Sequence, residues 1–268
     1  MTRSRRPAPL LVCLGTCVCL TVAGLRAAEA PAKPDATIRT VVITGGHGYD
    51  RNVFPRLFAS AKDLACTLRE GQAKGGKHLF DDVGNFPYDV IVLYNFNRKL
   101  TKARRESFLK LLDRGVGLVI LHHAIVAYPQ WEEFERIVGA KYYLRPTKVG
   151  GVEHPASVWK HGVDIAVHVA DAAHPVTKGL KDFVLHDETY AKWTYHGAGR
   201  GLLTTDCPLN NKELAWAKTF RKSRVFFFQL GHGPQAFTDA NYQRVVAQAI
   251  RWTARRIGKK DPSEKPKK

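Results

Sequence analysis

Histidines that follow predicted β-strands are the residues of this sequence best suited to chemistry. His122 and His123 come directly after an apolar run that ends at Leu121. His47 follows the first predicted strand, and His232 follows the last. Because the carboxyl ends of parallel strands share one edge of a sheet, these imidazoles could meet there. Imidazole titrates near neutral pH, so such a group could act as a general acid or base.

The adjacent acids Asp187 and Glu188 are the second feature with chemical potential. They follow a short predicted strand, Phe183 to Leu185, within the segment HDETY. The two carboxylates could transfer protons, orient a histidine or bind a metal, and a solvated surface pair is the alternative. We therefore predict a catalytic group made of His122, His123, Asp187 and Glu188.

Imidazole and carboxylate groups together also suit Zn²⁺ or a similar divalent ion. The candidate metal ligands are His47, His122, His232 and Glu188. No H-x-x-x-H or C-x-x-C spacing occurs, so these ligands would come from distant parts of the chain. The same groups could instead work without a metal, as an acid–base pair. The candidates for substrate binding lie at glycine-rich turns and beside the acidic pair: Gly46, His47, His174, Tyr190, His232 and Gly233.

These residues need strands and helices to position them, and the apolar pattern supplies both. Continuous or β-rich apolar runs predict the strands 38–44, 89–94, 118–121, 163–169, 183–185 and 225–230, with a short edge strand at 78–80. Helical spacing predicts helices at about 53–68, 101–114 and 130–138, and one that begins after Asp239. Thr101 and Asp239 are suited to cap their helices, and Gly115 is suited to end one.

Alternating strands and helices indicate an α/β fold of the flavodoxin-like type. We expect a mostly parallel central sheet with helices on both faces. Residues 140–161 are irregular and rich in Gly, Pro and aromatic residues. We expect this segment to form a wall or lid over the sheet edge, and His154 within it could reach the cleft.

The chain ends differ in composition from its centre. Residues 1–30 combine a basic start, an apolar stretch and a small-x-small sequence at Ala28–Ala30, which predicts a signal peptide; an uncleaved membrane anchor is the alternative. Residues 31–36 form a lead-in, 37–258 a single domain, and 259–268 a basic disordered tail. We therefore expect export to the periplasm or the exterior, with membrane contact only through the export signal.

The composition excludes some classes of function. The formal net charge of the 268 residues is +18, but much of the excess lies in the two ends of the chain, and no nucleic-acid-binding motif accompanies it. We therefore expect no specific nucleic-acid partner. Outside the signal peptide only Cys66 and Cys207 remain, which could pair but do not make a disulfide framework. Cys66 falls in a predicted helix and fits a buried position.

Four segments carry a resemblance to a known family. They are TGGHGYD at 44–50, GLVILHHA at 117–124, HPVTKGLKDFVLHDETY at 174–190 and SRVFFFQLGHG at 223–233. With these segments the chain resembles the ThuA-like, or trehalose-utilisation, family, whose fold is related to the class I glutamine amidotransferases. Those relatives place a nucleophilic cysteine after the central strand. His122, His123 and Ala124 stand there instead, so neither Cys nor Ser offers a nucleophile.

The resemblance implies a role in sugar breakdown, on a disaccharide or keto-sugar. We predict an enzyme, a hydrolase or lyase that acts on this small carbohydrate through a His/Asp/Glu cleft, with or without metal. A non-catalytic carbohydrate-binding module on the same fold is the alternative, with sugar rings stacked on aromatic residues: Tyr128, Trp131, Tyr142, Tyr143, Trp159 and Tyr190. An envelope scaffold that uses the basic tail is a third hypothesis.

Overall fold

The computed structural model describes residues 37–71, 77–197 and 199–258. The predicted signal peptide, lead-in and basic tail lie outside these residues. The strands are β1 (Ile38–Gly45), β2 (Leu64–Glu70), β3 (Val90–Asn95), β4 (Gly117–Leu121), β5 (Ala140–Lys141), β6 (Thr147–Val149), β7 (Val152–His154), β8 (Val158–Val169), β9 (Phe183–Ala191), β10 (Thr194–Tyr195), β11 (Arg200–Thr204), β12 (Glu213–Phe220) and β13 (Ser223–Phe228). The helices are α1 (Arg56–Ala59), α2 (Lys102–Asp113), α3 (Glu132–Val138), α4 (Pro234–Thr238) and α5 (Ala240–Thr253), with a 3₁₀ helix at His122–Val126.

The main sheet has the order β2-β1-β3-β4-β13-β12-β11-β8-β9 within the part of the chain that the structure describes. The first five strands in that order are parallel to one another, and their arrangement is the doubly wound order of flavodoxin-like folds. The other four strands are antiparallel. The prediction of a mostly parallel sheet therefore holds for the first half of the sheet and not for the second.

Helices cover both faces of the parallel strands. Alternate residues of a strand point to opposite sides, and the side chains on both sides are apolar and need to be buried. One face packs Val92 and Phe226 against α5, whose Ile250 is fully buried. The other face packs Ile91 and Phe227 against α2 and α3. Since every residue of β3, β4 and β13 is buried, the apolar runs of the sequence are those of central strands.

Two predicted elements are wrong, and a third is longer than predicted, because β9 continues through Asp187 and Glu188 instead of ending at Leu185. The helix predicted at about 53–68 is only the single turn α1, and Leu64, Cys66 and Leu68 belong to β2, where they recur with the period of a strand. Cys66 is thus partly buried in a strand, and neither it nor Cys207 forms a disulfide in the described residues. Residues 78–80 form a turn rather than an edge strand, and β2 is the edge strand of the parallel half of the sheet.

The helix caps match their predictions. The Thr101 hydroxyl accepts a hydrogen bond from the backbone N–H of Arg104, and the Asp239 carboxylate accepts one from the N–H of Tyr242. Across the described ranges no helix combines the length and the apolar character needed to cross a bilayer.

Candidate functional site

A cleft of about 370 Å³ lies where the parallel strands of the sheet end. His47 follows β1, Phe96 follows β3, and His123 follows β4, and all three line the cleft. His232, four residues beyond β13, lines it too. The histidines that follow these strands thus lie at the same edge of the sheet, where the carboxyl ends of the parallel strands meet.

His122 lies beneath the cleft with its side chain fully buried. Its backbone is in the left-handed region, with φ of 51°, which turns the chain from β4 into the 3₁₀ helix. Its Nδ1–H donates to the carbonyl oxygen of Gln229 at 2.8 Å, because a carbonyl can only accept. In the neutral ring Nε2 is therefore an unprotonated acceptor.

Glu188 on β9 joins three of the imidazoles. Its Oε2 lies 3.0 Å from Nε2 of His122 and 3.3 Å from Nδ1 of His232, and its Oε1 lies 3.2 Å from Nδ1 of His161. Because Nε2 of His122 and a carboxylate oxygen are both acceptors, their close contact needs a proton or a cation between them.

The charges around Glu188 keep its carboxylate ionised. Burial alone would raise the pKa of Glu188, but the hydrogen bonds and charges that His122 and His232 supply when their rings are protonated outweigh burial and hold that pKa well below its ordinary value. The hydrogen bond to Glu188 raises the pKa of His232. The carboxylate therefore stays ionised and favours the protonated form of His232.

Tyr190 covers the buried histidine from the cleft side. Its hydroxyl is 3.0 Å from Nε2 of His122, and the two rings stack at 4.8 Å. Burial, reinforced by the charge of Glu188, raises the pKa of Tyr190 well above its usual value. The phenol therefore stays protonated and can donate.

His123 faces the cleft with a different protonation pattern. Its Nε2–H donates to the carbonyl of Tyr94 at 3.2 Å, and within the described ranges its buried Nδ1 has no hydrogen-bond partner. Burial, together with the charges of His122 and His47, lowers the pKa of His123 well below its usual value. Its ring stacks on that of His47 at 4.5 Å and stays neutral.

The structure places the other candidates away from the cleft surface. Asp187 accepts hydrogen bonds from the backbone N–H groups of Gly231 and His232, so its carboxylate holds the loop that carries His232. Adjacent residues of a strand point to opposite faces, which explains why Asp187 does not join Glu188. Gly46 and Gly233 lie in the loops on either side and do not line the cleft.

His174 lies near the opposite end of the sheet. Its ring packs against Trp252 at 5.0 Å, and its Nδ1 accepts from the N–H of Val176 at 3.2 Å. The end of α5 beside Trp252 packs on Gly117 at the start of β4. The substrate-binding role predicted for His174 thus has no support from its position. His154, which stacks on Tyr143 at 4.6 Å, does not line the cleft either.

His161 is the residue that sequence reasoning missed. It lies on β8, where a break in register between Lys160 and Val163 interrupts the pairing with β9. Its ring lies 4.4 Å from that of His232 and 4.6 Å from that of Trp159. The alternation of Trp159 and His161 along one strand face was the signal available in the sequence.

Three donor atoms at the base of the cleft form a group that could hold a metal ion. They are Nε2 of His122, Oε2 of Glu188 and Nδ1 of His232, and all lie within 4.8 Å of one another. Two ligands bound at about 2.1 Å to one zinc ion lie roughly 3.0 to 3.4 Å apart, which matches their separations. His47, the fourth metal candidate, stacks on His123 and is not part of this group.

Comparisons with known proteins agree with this architecture. The family model described as "Trehalose utilisation" (ThuA) matches residues 74–253, and no curated protein matches the sequence. A ThuA-like protein from Parabacteroides merdae ATCC 43184 superposes with a TM-score of 0.70 and 21% identity, over 85% of this chain and 94% of that one. A second ThuA-like protein, from Bacteroides uniformis ATCC 8492, superposes with a TM-score of 0.58 and 20% identity, over 86% of this chain and 95% of that one. A glutamine amidotransferase from Thermotoga maritima superposes with a TM-score of 0.47 and 9% identity, over 81% of this chain and 98% of that one. At these identities the two ThuA-like matches show the fold alone.

Proposed function

The chain belongs to the ThuA family, and from that premise we propose that it is an enzyme of sugar breakdown whose cleft binds a divalent metal ion such as Zn²⁺. The convergence of His122, Glu188 and His232 on one point at the base of the cleft carries the proposal. The reaction we propose is hydrolysis or elimination on a disaccharide or keto-sugar; the family description, trehalose utilisation, supports only the sugar context.

The donor set suits a borderline divalent ion. Two imidazole nitrogens and one carboxylate oxygen are the ligands of many catalytic zinc sites, which leave a further position for substrate. The Nδ1–H of His122 is fixed on the carbonyl of Gln229, the kind of outer contact that orients a metal-binding histidine. An ion at this point would supply Lewis acidity, which polarises a carbonyl or hydroxyl oxygen.

The protein's own groups would hold and move protons around that point. Tyr190 keeps its hydroxyl proton and can donate it as a hydrogen bond to an oxygen of the substrate. The neutral ring of His123 leaves Nδ1 as a hydrogen-bond acceptor; because burial lowers its pKa, this ring suits positioning a donor group rather than taking up a proton. His161 shares Glu188 with the group at the base and, being exposed, connects it with solvent.

One part of the cleft lining suits a sugar ring. Tyr142, Leu144 and Trp159 line it, and Trp159 is 58% exposed. An exposed indole beside polar groups can stack on the apolar face of a sugar. All three residues lie in the segment 140–161, to which we assign the role of a wall over the strand ends.

We also propose that the protein is exported, on the strength of the signal-peptide pattern in residues 1–30. Cell fractionation with N-terminal sequencing tests this point. A mature protein that begins near residue 31 outside the cytoplasm is the expected result, and an intact start in the cytoplasmic fraction would overturn it.

The central experiment combines metal analysis with a substrate screen. Purified protein is loaded with Zn²⁺, dialysed, analysed for metal content and then assayed for product release from disaccharides and keto-sugars. We expect one bound ion per chain, with binding and turnover lost in His122→Ala and Glu188→Ala. His186→Ala is the matched control, because this exposed histidine on β9 pairs with Asp164, away from the cleft. Full activity in Glu188→Ala would refute the assignment.

A carbohydrate-binding module without turnover is the second candidate function. The exposed Trp159 beside the partly buried Tyr142 favours it, since aromatic faces alone can hold a sugar. The same screen separates the two functions. Saturable binding that depends on Trp159 but yields no product in the metal-loaded protein would favour the module.

A further inference from the structure

Arg98 is a partly buried cation in the loop after β3, two residues beyond Phe96, which lines the cleft. It lies three residues beyond β3, and its backbone N–H donates to the carbonyl of Ala127. Its guanidinium makes no hydrogen bond or ion pair with any residue in the described ranges. A guanidinium that has lost part of its hydration is normally paired, so this position calls for an anion.

The Gly45–Gly46 turn after β1 makes room for this guanidinium. A Cβ atom on Gly46 would lie 3.0 Å from Nε of Arg98 and 1.9 Å from the carbonyl oxygen of Phe96. A Cβ atom on Gly45 would lie 3.3 Å from Nη2 of Arg98. Both glycines have positive φ, 112° and 87°, so the turn excludes other residues on conformational grounds as well. The guanidinium therefore rests directly on the backbone of the turn.

The position of Arg98 in the fold is one where ligands bind. The chain leaves β1 toward β2 on one side, and β3 lies on the other side of β1. The crevice between the loops after β1 and β3 is therefore the topological switch point of the sheet. His47, next to Gly46, and Phe96, two residues before Arg98, both line the cleft.

The charge distribution indicates what this end of the cleft would take. Among the described residues that line the cleft, Glu188 supplies the acidic side chain. Its two carboxylate oxygens already contact His122, His161 and His232. Arg98 is thus not neutralised from within the cleft. The planar guanidinium fits a carboxylate or a phosphate with two parallel hydrogen bonds.

We propose that Arg98, seated on the Gly45–Gly46 turn, binds an anionic group of the substrate, so that the substrate is an acidic sugar derivative carrying a carboxylate or a phosphate. The inference rests on the proposed function for the choice of a sugar. It does not depend on the metal, because Arg98 lies outside the group at the base of the cleft. The ring of His47, one residue from the turn, is 5.6 Å from that of His232, so one small molecule could contact both ends.

The test is calorimetric titration of the EDTA-treated protein with D-gluconate, D-glucose 6-phosphate and neutral D-glucose. We expect at least one of the two anions to bind more tightly than glucose, and the one that binds identifies the carboxylate or the phosphate. Arg98→Gln should weaken that binding about tenfold or more, the effect of one charge-assisted hydrogen bond, and Arg98→Lys should weaken it less. Arg56→Gln is the matched control, because Arg56 is an exposed arginine on α1 outside the cleft.

Each outcome has a defined meaning. Equal affinity for glucose and both anions, or anion binding that survives Arg98→Gln, overturns the inference. Loss of folding in Arg98→Gln, detected by circular dichroism, leaves Arg98→Lys to decide: affinity equal to that of the wild type for glucose but reduced for the anion supports the inference, and unchanged anion affinity overturns it. Because the titration contains no metal, failure of zinc binding in a separate experiment would refute the proposed function and leave the anion result intact.

Discussion

Replacing Glu188 by Gln is the sharpest test of the group at the base of the cleft. The substitution keeps the size and shape of the side chain and removes its charge. Glu188 is only 6% exposed and has His122, His161 and His232 within 3.3 Å. The amide can still donate to Nε2 of His122, but it cannot bind a metal ion well or balance a protonated His232.

The expected magnitudes follow from these contacts. Loss of the charge-assisted hydrogen bond to His232 should lower the free energy of unfolding of the metal-free protein by about 1–3 kcal/mol. Loss of a direct ligand should weaken Zn²⁺ binding by more than about 100-fold, since removal of outer contacts alone costs about 10- to 100-fold. The effect on the metal therefore exceeds the effect on the fold.

Two measurements separate these effects. Urea unfolding in EDTA gives the stability, and calorimetric titration with Zn²⁺ gives the affinity. Glu135→Gln is the control, because Glu135 pairs with Lys141 at 2.6 Å and His196 at 2.9 Å but lies outside the cleft and is 24% exposed. Glu135→Gln should lower the free energy of unfolding by less than about 1 kcal/mol and leave the zinc affinity unchanged. Wild-type zinc affinity in Glu188→Gln would refute the reasoning.

Three further predictions follow from the same contacts. Glu188 raises the pKa of His232 above its ordinary 6.5, so the contribution of this pair to the stability of the metal-free protein should be fully present below pH 6.5 and be lost as pH rises through the raised pKa. Zn²⁺ affinity should rise over the same range, because the ion displaces the proton. The difference in urea unfolding between the wild type and Glu188→Gln isolates this pair from the buried His123, whose lowered pKa acts in the opposite direction, and titration with Zn²⁺ gives the affinity; parallel slopes would contradict the prediction. Gly231→Ala should lower the free energy of unfolding, measured in urea, by about 2–4 kcal/mol. The reason is that φ at Gly231 is 121° and the new Cβ atom would lie 2.0 Å from the hydroxyl oxygen of Tyr242. A loss below about 0.5 kcal/mol would show that the loop adapts. Burial raises the pKa of Cys66 to about 11, so iodoacetamide should modify it slowly at pH 8 in the native protein and rapidly in urea, as measured by mass spectrometry; equal rates would be the contrary result.

The strand-end histidines could be predicted because the period of the apolar runs and the parallel arrangement determine which residues share an edge. His47, His122 and His232 follow strands that are adjacent or nearly so in the sheet, and each run of buried residues identifies its strand. The sequence also indicated Glu188. It could not separate Glu188 from Asp187, since both are buried acids and only the direction of β9 assigns one to the cleft and the other to the loop at Gly231.

The remaining features depend on contacts that leave little local trace. His161 reaches the cleft because a register break re-aims β8, and such a break is set by pairing with β9 rather than by nearby residues. The helix predicted at about 53–68 was wrong because apolar residues at Leu64, Cys66 and Leu68 satisfy both a strand period and part of a helical stripe. His174 shares a motif with the acidic pair, yet the fold carries it to the other end of the sheet.

The wide spacing of the proposed ligands along the polypeptide has a consequence for biosynthesis. His122 and His232 are 110 positions apart, with Glu188 between them on a different strand. A zinc finger gathers its ligands within one short segment of the chain, so the ion can drive that small unit to fold. Here the ribosome must release most of the domain, and the sheet must close around β13, before three donors exist in one place. An ion that binds here therefore enters a finished protein, and a nascent chain that stops before position 232 has no such site to offer.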